Sequence, residues 1–254
     1  MSAQVKILVK GTTNADSVAE TGQEKTQPTI TLVKDGELVM VVDPGILESQ
    51  QVLIDALVVE NLTVHDVDVI CITHSHIDHY RNIGMFPRAK VLEYFGLWDK
   101  NGVADWPEQF STNIQILRTP GHDYTDITIF VTTEEGVVAI CGDVFWKENY
   151  PIDPHDDKYA SDPIELTHSR EIVLKMADWV IPGHGEKYKV DKSQSHGADG
   201  GFLAAKPKGS EELICKKCHR TMKKVDRCLC RPWLCHHCCE CGPDCDLCGC
   251  NHKK

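Results

Sequence analysis

The chain has 254 residues, a hydrophobic content of 41% and a formal net charge of −11 at pH 7. It contains no run of about 18 apolar residues, so no membrane-spanning helix is predicted, and "MSAQVKILVKG" has too short an apolar run for a secretory signal. Residues 206–254 contain 11 Lys or Arg and 6 Asp or Glu, a balance of +5, so residues 1–205 carry −16. Such an acidic body is not typical of a general polyanion-binding protein. We expect a cytoplasmic or nuclear protein that is neither secreted nor membrane-bound.

The 13 cysteines are concentrated near the end of the sequence. Only Cys71 and Cys141 lie in the first 214 residues, and the other 11 lie between Cys215 and Cys250. In a reducing compartment, cysteines clustered this closely favour metal binding over disulfide formation. Cys71 and Cys141 lie in strand-like segments and are predicted to be buried packing residues.

The first half of the chain predicts strands, one hairpin and one helix. Val5–Gly11 reads as a strand, and a polar segment follows it. "TITLVKDGELVMVVDPG" predicts two strands around an Asp-Gly turn. Apolar spacing over Ser49–Leu62 predicts a helix. Asp66–Thr73 is a mostly apolar strand that leads directly into the sequence "HSHIDH".

The second half continues the alternation of strands and helices. Strands are predicted at Lys90–Glu93, Ile114–Arg118, Ile127–Thr132 and Val137–Cys141, a helix at Pro163–Trp179, and a short strand in "WVIPGHG". This mixture predicts an α/β fold with two sheets between helices. We expect a hydrolase-like domain over residues 1–192, a Gly/Ser/Lys/Pro-rich linker over 193–212 and a cysteine-rich module over 213–254.

The sequence "HSHIDH" places four potential metal ligands within six residues. His74 and His76 are two positions apart at the end of a strand, where their side chains point the same way. Asp78 and His79 come after the chain has turned, so they cannot easily reach the same position. Imidazole nitrogens and carboxylate oxygens are common zinc ligands. The spacing therefore indicates two adjacent metal ions.

Three further candidates follow predicted strands. His122 lies in "TPGHDYTD", Asp143 in "AICGDVFW" and His184 in "IPGHGEKY", each in a loop with small neighbours. Loops at strand ends carry side chains that can reach a shared cleft, and a carboxylate can bridge two cations. Taken singly, each has an ordinary structural interpretation as a turn or a cap. The four ligands in "HSHIDH" have no comparable structural explanation, and they favour a metal site.

The motifs "THSHIDH", "TPGH", "GD" and "PGHG", in this order over roughly residues 5–192, resemble the metallo-β-lactamase superfamily. The resemblance implies an αββα sandwich. It also implies a first zinc held by His74, His76 and His122, and a second held by Asp78, His79 and His184. Asp143 would bridge the two ions. Asp43 in "VVDPG" would support the site, although an ordinary Asp-Pro-Gly turn explains it equally well.

The implied activity is hydrolysis by a hydroxide that bridges two zinc ions, since such ions lower the pKa of bound water. Asp143 would join the ions and Asp78 would orient the nucleophile and carry a proton. We expect no covalent intermediate. Iron or manganese could also occupy a His/Asp site.

Departures from familiar relatives bear on the substrate. Asp143 occupies the bridging place, where true β-lactamases have cysteine, and this argues against β-lactamase activity. Only 40 residues separate Asp143 and His184, which leaves no room for the inserted domain of larger RNA-processing relatives. The branch that the motifs resemble most is associated with endonucleolytic cleavage of histone pre-messenger RNA at its 3′ end. This implies an endoribonuclease with single-stranded RNA as substrate. The alternative is a thioester or lactone hydrolase of the hydroxyacylglutathione hydrolase type, although the C-terminal helical domain of those enzymes is replaced here by cysteines.

The C-terminal cysteines predict two further zinc ions. A tetrathiolate site is indicated by two Cys-x2-Cys pairs that flank 16 residues: Cys215, Cys218, Cys235 and Cys238. A second site would use Cys228, Cys230, Cys245 and Cys248. The remaining Cys239, Cys241 and Cys250 are spare or alternative ligands.

Zinc would supply most of the folding free energy of a segment this short. The alternative is a disordered, oxidisable tail. The module could bind RNA or a protein partner, and one alternative for the whole chain is a non-catalytic binding protein that acts through this tail. A homodimer is compatible with the sequence.

Overall fold

The computed structural model describes residues 2–16 and 22–192 and two short strands beyond them. The chain divides into two compact units, Met1–Ser195 and His196–Lys254. In chain order, the strands of the first unit are β1 (Gln4–Val9), β2 (Thr12–Thr13), β3 (Thr26–Gln27), β4 (Ile30–Asp35), β5 (Leu38–Val42), β6 (Val69–Cys71), β7 (Lys90–Glu93), β8 (Gly96–Asp99), β9 (Gly102–Ala104), β10 (Ile114–Arg118), β11 (Ile127–Thr133), β12 (Gly136–Ile140), β13 (Trp179–Ile181) and β14 (Tyr188–Lys189).

These strands form two main sheets and one small pair. The first sheet has seven strands in the order β1-β4-β5-β6-β7-β8-β9, and the second has five in the order β10-β11-β12-β13-β14. Strands β5, β6 and β7 run parallel, as do β12 and β13, while the remaining neighbours are antiparallel. Strands β2 and β3 pair with each other. Parallel neighbours bring several strand carboxyl ends to the same edge of each sheet, which is where the candidate ligands lie.

Within residues 2–16 and 22–192, three α-helices accompany the sheets: α1 (Gln50–Val59), α2 (Ile77–Tyr80) and α3 (Pro163–Met176). The side chain of Ser49 caps α1 by accepting from the Gln51 amide. Asp162 caps α3 by accepting from the amides of Ile164 and Glu165, and proline occupies the first turn of that helix. These caps satisfy amides that have no partner within a helix. Short 3₁₀ helices occupy Ile83–Met85, Gly142–Val144 and Pro154–Asp156.

Three apolar clusters hold the layers together. The central cluster joins the inner faces of the two sheets, with residues such as Val42 and Cys71 from the first and Ile129 and Ile140 from the second. The outer face of the first sheet packs on α1, and that of the second sheet packs on α3. The layers therefore run helix, sheet, sheet, helix, which confirms the predicted α/β sandwich.

The strands and helices match the sequence predictions most closely where hydrophobic alternation is strong. The Asp-Gly hairpin forms with Asp35 opposite Leu38, and the strands at Lys90–Glu93 and Ile114–Arg118 have the predicted bounds. The predicted helix at 163–179 ends at Met176, because Trp179 pairs with Val138 in a strand. Strands β2, β3, β8, β9 and β14 were not predicted.

Cys71 and Cys141 are both buried, as expected, and burial raises the pKa of each thiol. Among the described residues, no helix has the length and apolar character needed to cross a membrane.

In the second unit, β15 (Leu213–Ile214) and β16 (Thr221–Met222) pair antiparallel. The predicted linker and the predicted zinc ligands of the tail lie outside the described residues, so the zinc module stays a prediction.

Candidate metal centre

The predicted ligands come together at the carboxyl ends of strands from both sheets. His74, His76, Asp78 and His79 follow β6, His122 follows β10, Asp143 follows β12 and His184 follows β13. The ligands form two groups. Each residue of a group offers one potential ligand atom, and the offered atoms of that group all lie within 4.8 Å of one another. One group contains His74, His76, His122 and Asp143, and the other contains Asp78, His79 and His184. The structure thus places all seven predicted hydrolase ligands in one site.

The first group has the dimensions of a tetrahedral zinc site. Nδ1 of His76 lies 2.9 Å from Nε2 of His74 and 3.1 Å from Nε2 of His122. Nε2 of His122 lies 3.4 Å from Oδ2 of Asp143. Zinc–nitrogen bonds of about 2.0–2.1 Å give a tetrahedron with edges of about 3.3 Å. Three ring nitrogens and one carboxylate oxygen therefore converge at distances that suit one shared cation.

Two buried atoms that lack hydrogen-bond partners lie where the second group meets Asp143. Nε2 of His79 and Oδ1 of Asp143 are both without a partner, and they lie 3.5 Å apart. Nε2 of His184 lies 3.2 Å from Oδ1 of Asp143, and Oδ2 of Asp78 lies 3.7 Å from the Nε2 atoms of both histidines. Buried polar atoms are rarely left unsatisfied. A cation bound among these four residues would satisfy both unpartnered atoms.

The turn between β6 and α2 explains why neighbouring residues serve different groups. His74 and His76 lie in the extended segment before the helix, and His76 is its N-cap. Asp78 and His79 lie inside α2, where the helical backbone places Nε2 of His79 3.5 Å from Oδ1 of Asp143 and Oδ2 of Asp78 3.7 Å from Nε2 of His184. The His79 ring still lies against the His74 ring, with centroids 4.1 Å apart, so the two groups adjoin each other.

Asp143 faces both groups because its backbone is held close to neighbouring chain segments. Gly142, just before it, has a φ of +49°, and a Cβ there would lie 2.3 Å from Oγ1 of Thr73. A Cβ at Gly183 would lie 1.8 Å from Oδ1 of Asp143. Glycine is therefore required at both places for the Asp143 carboxylate to reach its position.

Sequence comparisons find the same family. A family model described as the metallo-beta-lactamase superfamily matches residues 24–100. Metallo-beta-lactamase domain-containing protein 1 of Xenopus laevis is 32% identical over 176 residues, which cover 64% of this chain and 72% of that protein. The chain belongs to the metallo-β-lactamase superfamily.

A second relative and a solved structure agree with this assignment. Metallo-beta-lactamase domain-containing protein 1 of Mus musculus is 31% identical over 186 residues, which cover 70% of this chain and 66% of the mouse protein. The chain thus spans about two thirds of the length of these relatives. A putative metallo-beta-lactamase from Thermotoga maritima superposes with a TM-score of 0.59 at 20% identity, covering 74% of this chain and 100% of that chain. The two His/Asp groups of this chain are a candidate site for two metal ions.

Carboxylates and carbonyls fix the orientation of the histidine rings in this superfamily member. Oδ2 of Asp43 lies 2.8 Å from Nδ1 of His79, and Oδ2 of Asp157 lies 2.8 Å from Nδ1 of His122. Nδ1 of His184 lies 2.9 Å from the carbonyl oxygen of Gln27. Such contacts select the tautomer that leaves Nε2 free to bind a metal.

Asp43 both forms part of an Asp-Pro-Gly turn and contacts a candidate metal ligand, which are the two roles that the sequence left open. Its φ of 50° shows the strained turn of an Asp-Pro-Gly segment, and its side chain contacts His79. It also accepts hydrogen bonds from the backbone amide and the hydroxyl of Thr73, at 2.8 and 2.7 Å. Asp43 therefore connects the end of β5 to both the second ligand group and the start of the "HSHIDH" segment.

Burial and neighbouring charges shift the pKa values of the ligands in opposite directions. Burial lowers the pKa of His79, but Asp43 and Asp143 outweigh it and raise that pKa well above its usual value. Burial would raise the pKa of Asp143, yet His184 and His79 hold it well below its usual range. Asp143 is therefore an ionised carboxylate at the centre of the site, with the charge expected of a bridging ligand.

A cavity of about 260 Å³ opens over the two groups. Its floor contains His76, Asp78, Asp143 and His184, and its walls contain Thr13, Ala15, Glu24, Thr26, Ile77, Trp146 and Tyr159. At the rim, Glu24 accepts hydrogen bonds from the Tyr159 hydroxyl at 2.5 Å and from Lys158 Nζ at 3.0 Å. The cavity gives a substrate direct access to the ligands of both groups.

Sequence reasoning did not identify the contributions of Asp157, Gln27 and Thr26. Asp157 lies in an acidic loop without spacing that distinguishes it from its neighbours, and its contact with His122 spans 35 residues. Gln27 and Thr26 belong to β3, a two-residue strand in a polar segment. No local pattern could have identified any of the three.

Proposed function

We propose that this metallohydrolase cleaves phosphodiester bonds of single-stranded RNA as an endoribonuclease. The observation that carries the hydrolytic part is the placement of Asp143, whose Oδ1 lies 3.5 Å from His79 Nε2 and whose Oδ2 lies 3.4 Å from His122 Nε2, with both oxygens 3.2 Å from His184 Nε2. A carboxylate shared in this way suits two adjacent cations. When bound, two metal ions supply Lewis acidity and a water of lowered pKa.

Asp78 is the residue placed to handle the proton of the reaction. Its side chain is 14% exposed and lines the floor of the cavity. Oδ2 of Asp78 accepts a hydrogen bond of 3.1 Å from the Thr26 hydroxyl, which fixes the carboxylate beside the His184 ring. The Asp78 carboxylate can accept the nucleophile's proton and return it to the leaving oxygen.

RNA as the substrate is supported by the motif resemblance to the superfamily branch associated with histone pre-messenger RNA cleavage. The cavity that holds His76, Asp78, Asp143 and His184 is also lined by Trp146 and Tyr159, whose rings offer surfaces for an RNA base beside the candidate metal ligands. Hydrolysis of a phosphodiester needs stabilisation of charge on non-bridging oxygens, which two cations provide.

The test is cleavage of labelled single-stranded RNA by the full chain loaded with zinc or manganese. Asp143→Asn is expected to reduce cleavage to the background rate, whereas Asp55→Asn, at an exposed position on α1, is expected to retain it. Metal content of both variants is measured in parallel. Wild-type protein that binds metal but leaves RNA intact would contradict the proposal.

A second candidate is hydrolysis of a small thioester or lactone. The charge of −16 on residues 1–205 favours it, since a small neutral ester is not repelled as a polyanion is. The same Asp143→Asn and Asp55→Asn pair tested on a thioester and a lactone separates the two substrate classes. Turnover of the ester without turnover of RNA would select this candidate.

The third possibility, a non-catalytic protein that acts through the cysteine-rich tail, has less support. All seven hydrolase ligands are present and converge, whereas a scaffold has no need to retain them. Turnover that depends on Asp143 would exclude a purely structural role for the first unit.

A further inference from the structure

A second cavity, of about 270 Å³, shares His74 and Ser75 with the metal-binding segment. Four aromatic residues line it, and we call it the aromatic groove: Tyr80, Tyr94, Phe95 and Tyr124. Phe95 is 62% exposed and Tyr124 is 63% exposed. Exposure of two large rings beside one cavity is unusual for side chains that serve only packing. The groove therefore presents free aromatic surface to a ligand.

The groove is connected to the metal centre through the chain itself. Ser75 lies between two ligands of the first group, and Tyr124 lies two residues after His122. The Ser75 amide donates to the Thr125 hydroxyl at 3.1 Å, and the two hydroxyls lie 3.0 Å apart. These contacts tie the two ligand-bearing loops together, so the groove lies directly beside the metal-binding segment.

Arg118 adds positive charge beside the aromatic groove. Its guanidinium carbon lies 5.0 Å from the Tyr94 ring and 4.4 Å from the Trp106 ring, and its Nη2 donates to the Tyr94 carbonyl at 3.0 Å. Among the described residues, no carboxylate lies within 4.0 Å of this guanidinium. The exposed side chain is held in place by the two rings, and its charge remains available to an anion.

We propose that the aromatic groove binds a base of the single-stranded RNA substrate and that Arg118 pairs with a backbone phosphate. This inference rests on the proposed ribonuclease function and deepens it. Aromatic rings stack on bases of any sequence, and adjacent cations follow the phosphates of a single strand. An acyl chain would use the apolar floor of the groove but would leave Arg118 without a partner. The combination of rings and cation fits a nucleotide.

Steady-state kinetics on a short RNA tests the stacking half of the proposal. Phe95→Ala and Tyr124→Ala are each expected to raise KM about 5- to 160-fold, the range that corresponds to loss of one stacking ring, with little change in kcat. The matched variants Phe95→Tyr and Tyr124→Phe keep the ring and are expected to retain the wild-type KM. With an RNA of the same length that contains abasic nucleotides, the difference in KM between the wild type and the alanine variants should largely disappear.

Arg118→Gln tests the electrostatic half. Loss of one phosphate contact is expected to weaken binding of all RNA sequences alike and to lower the slope of log affinity against log salt by about 1. Thermal unfolding of the variant shows whether loss of the stacked guanidinium alters the fold. An unchanged salt slope in a folded variant would overturn the assignment of Arg118.

The outcomes separate this inference from the proposed function. If the wild type cleaves RNA but the alanine variants have the same KM as the variants that keep the ring, the groove proposal fails while the proposed ribonuclease function is retained. If the alanine variants impair a lactone with an acyl chain as much as they impair RNA, the groove binds acyl groups and the proposal fails. If the wild type neither binds nor cleaves RNA, both proposals fail.

Discussion

Asp157 and His122 form a fully buried pair, with Oδ2 of the aspartate 2.8 Å from Nδ1 of the histidine and neither side chain exposed. The contact turns Nε2 of His122 toward His76 and Asp143. Burial lowers the pKa of His122, but the hydrogen bond that its ring donates to Asp157 and the charge of Asp143 outweigh burial and raise that pKa to about 9. Asp157 thus fixes the orientation of a ring that the proposed first metal needs.

Asp157→Ala is expected to weaken metal binding at the first group about 10- to 100-fold, the usual effect of losing a carboxylate that orients a ligating histidine. The measurement is a titration of metal against a competing chelator. Asp156→Ala removes the exposed neighbouring carboxylate and is the matched control. Equal metal affinity in the two variants would show that Asp157 does not orient His122.

Asp43→Asn is expected to act more strongly on the second group, since Asp43 contacts the His79 ring directly and reaches His74 only through the Thr73 hydroxyl. Asparagine tolerates the left-handed φ of 50° at this position, so the turn should persist. After partial chelation, Asp43→Asn should retain about one ion in the first unit, bound at the first group. Asp157→Ala should instead lose the ion of the first group before that of the second. Loss of both ions together in each variant would argue against two separable positions.

Gly183→Ala is expected to displace Asp143, because the new Cβ would lie 1.8 Å from Oδ1 of that carboxylate. Metal affinity and catalysis should therefore fall in Gly183→Ala while secondary structure is retained. Gly84→Ala is the control, since a Cβ there meets no atom within 4 Å. Wild-type metal affinity in Gly183→Ala would mean that the close approach of these two segments is not required.

Asp35 provides a pH-dependent contact between the two sheets. Its carboxylate accepts from the Ser111 hydroxyl at 2.5 Å and from the Asn113 side chain at 2.7 Å. Burial opposes its ionisation, but these hydrogen bonds outweigh burial and lower its pKa. Because the folded-state pKa lies below the unfolded value of about 3.9, the stabilisation is present above about pH 4. It is lost as the pH falls through the folded-state pKa.

Asp35→Asn should therefore lower the free energy of unfolding by about 1 kcal/mol at pH 7, a typical value for a partly exposed hydrogen-bonded group. The difference from wild type should shrink at pH 3. Urea denaturation at both pH values measures it, and Glu37→Gln in the same turn is the control. A difference of equal size at pH 3 would show that the charge of Asp35 does not contribute.

The metal ligands could be predicted because each follows a strand and carries a local signature. "HSHIDH" needs no knowledge of the rest of the chain, and the bounds of β7 and β10 follow from hydrophobic spacing. Asp43 was ambiguous, since its sequence fits a turn whether or not its carboxylate supports a histidine. Asp157 could not be predicted, because its role depends on a buried contact across 35 residues. The aromatic groove likewise combines α2, β7 with the turn that follows it, and the "TPGHDYTD" loop, which only the folded chain brings together.

The measurement that tests the central claim most directly is anomalous scattering from crystals of the zinc-loaded full chain at the zinc absorption edge. The account predicts two peaks in the first unit, each within about 2.0–2.2 Å of its ligand atoms. One peak should contact His74, His76 and His122, the other Asp78, His79 and His184, and Asp143 should contact both. A single peak, or two peaks that Asp143 does not bridge, would contradict a two-metal hydrolytic centre.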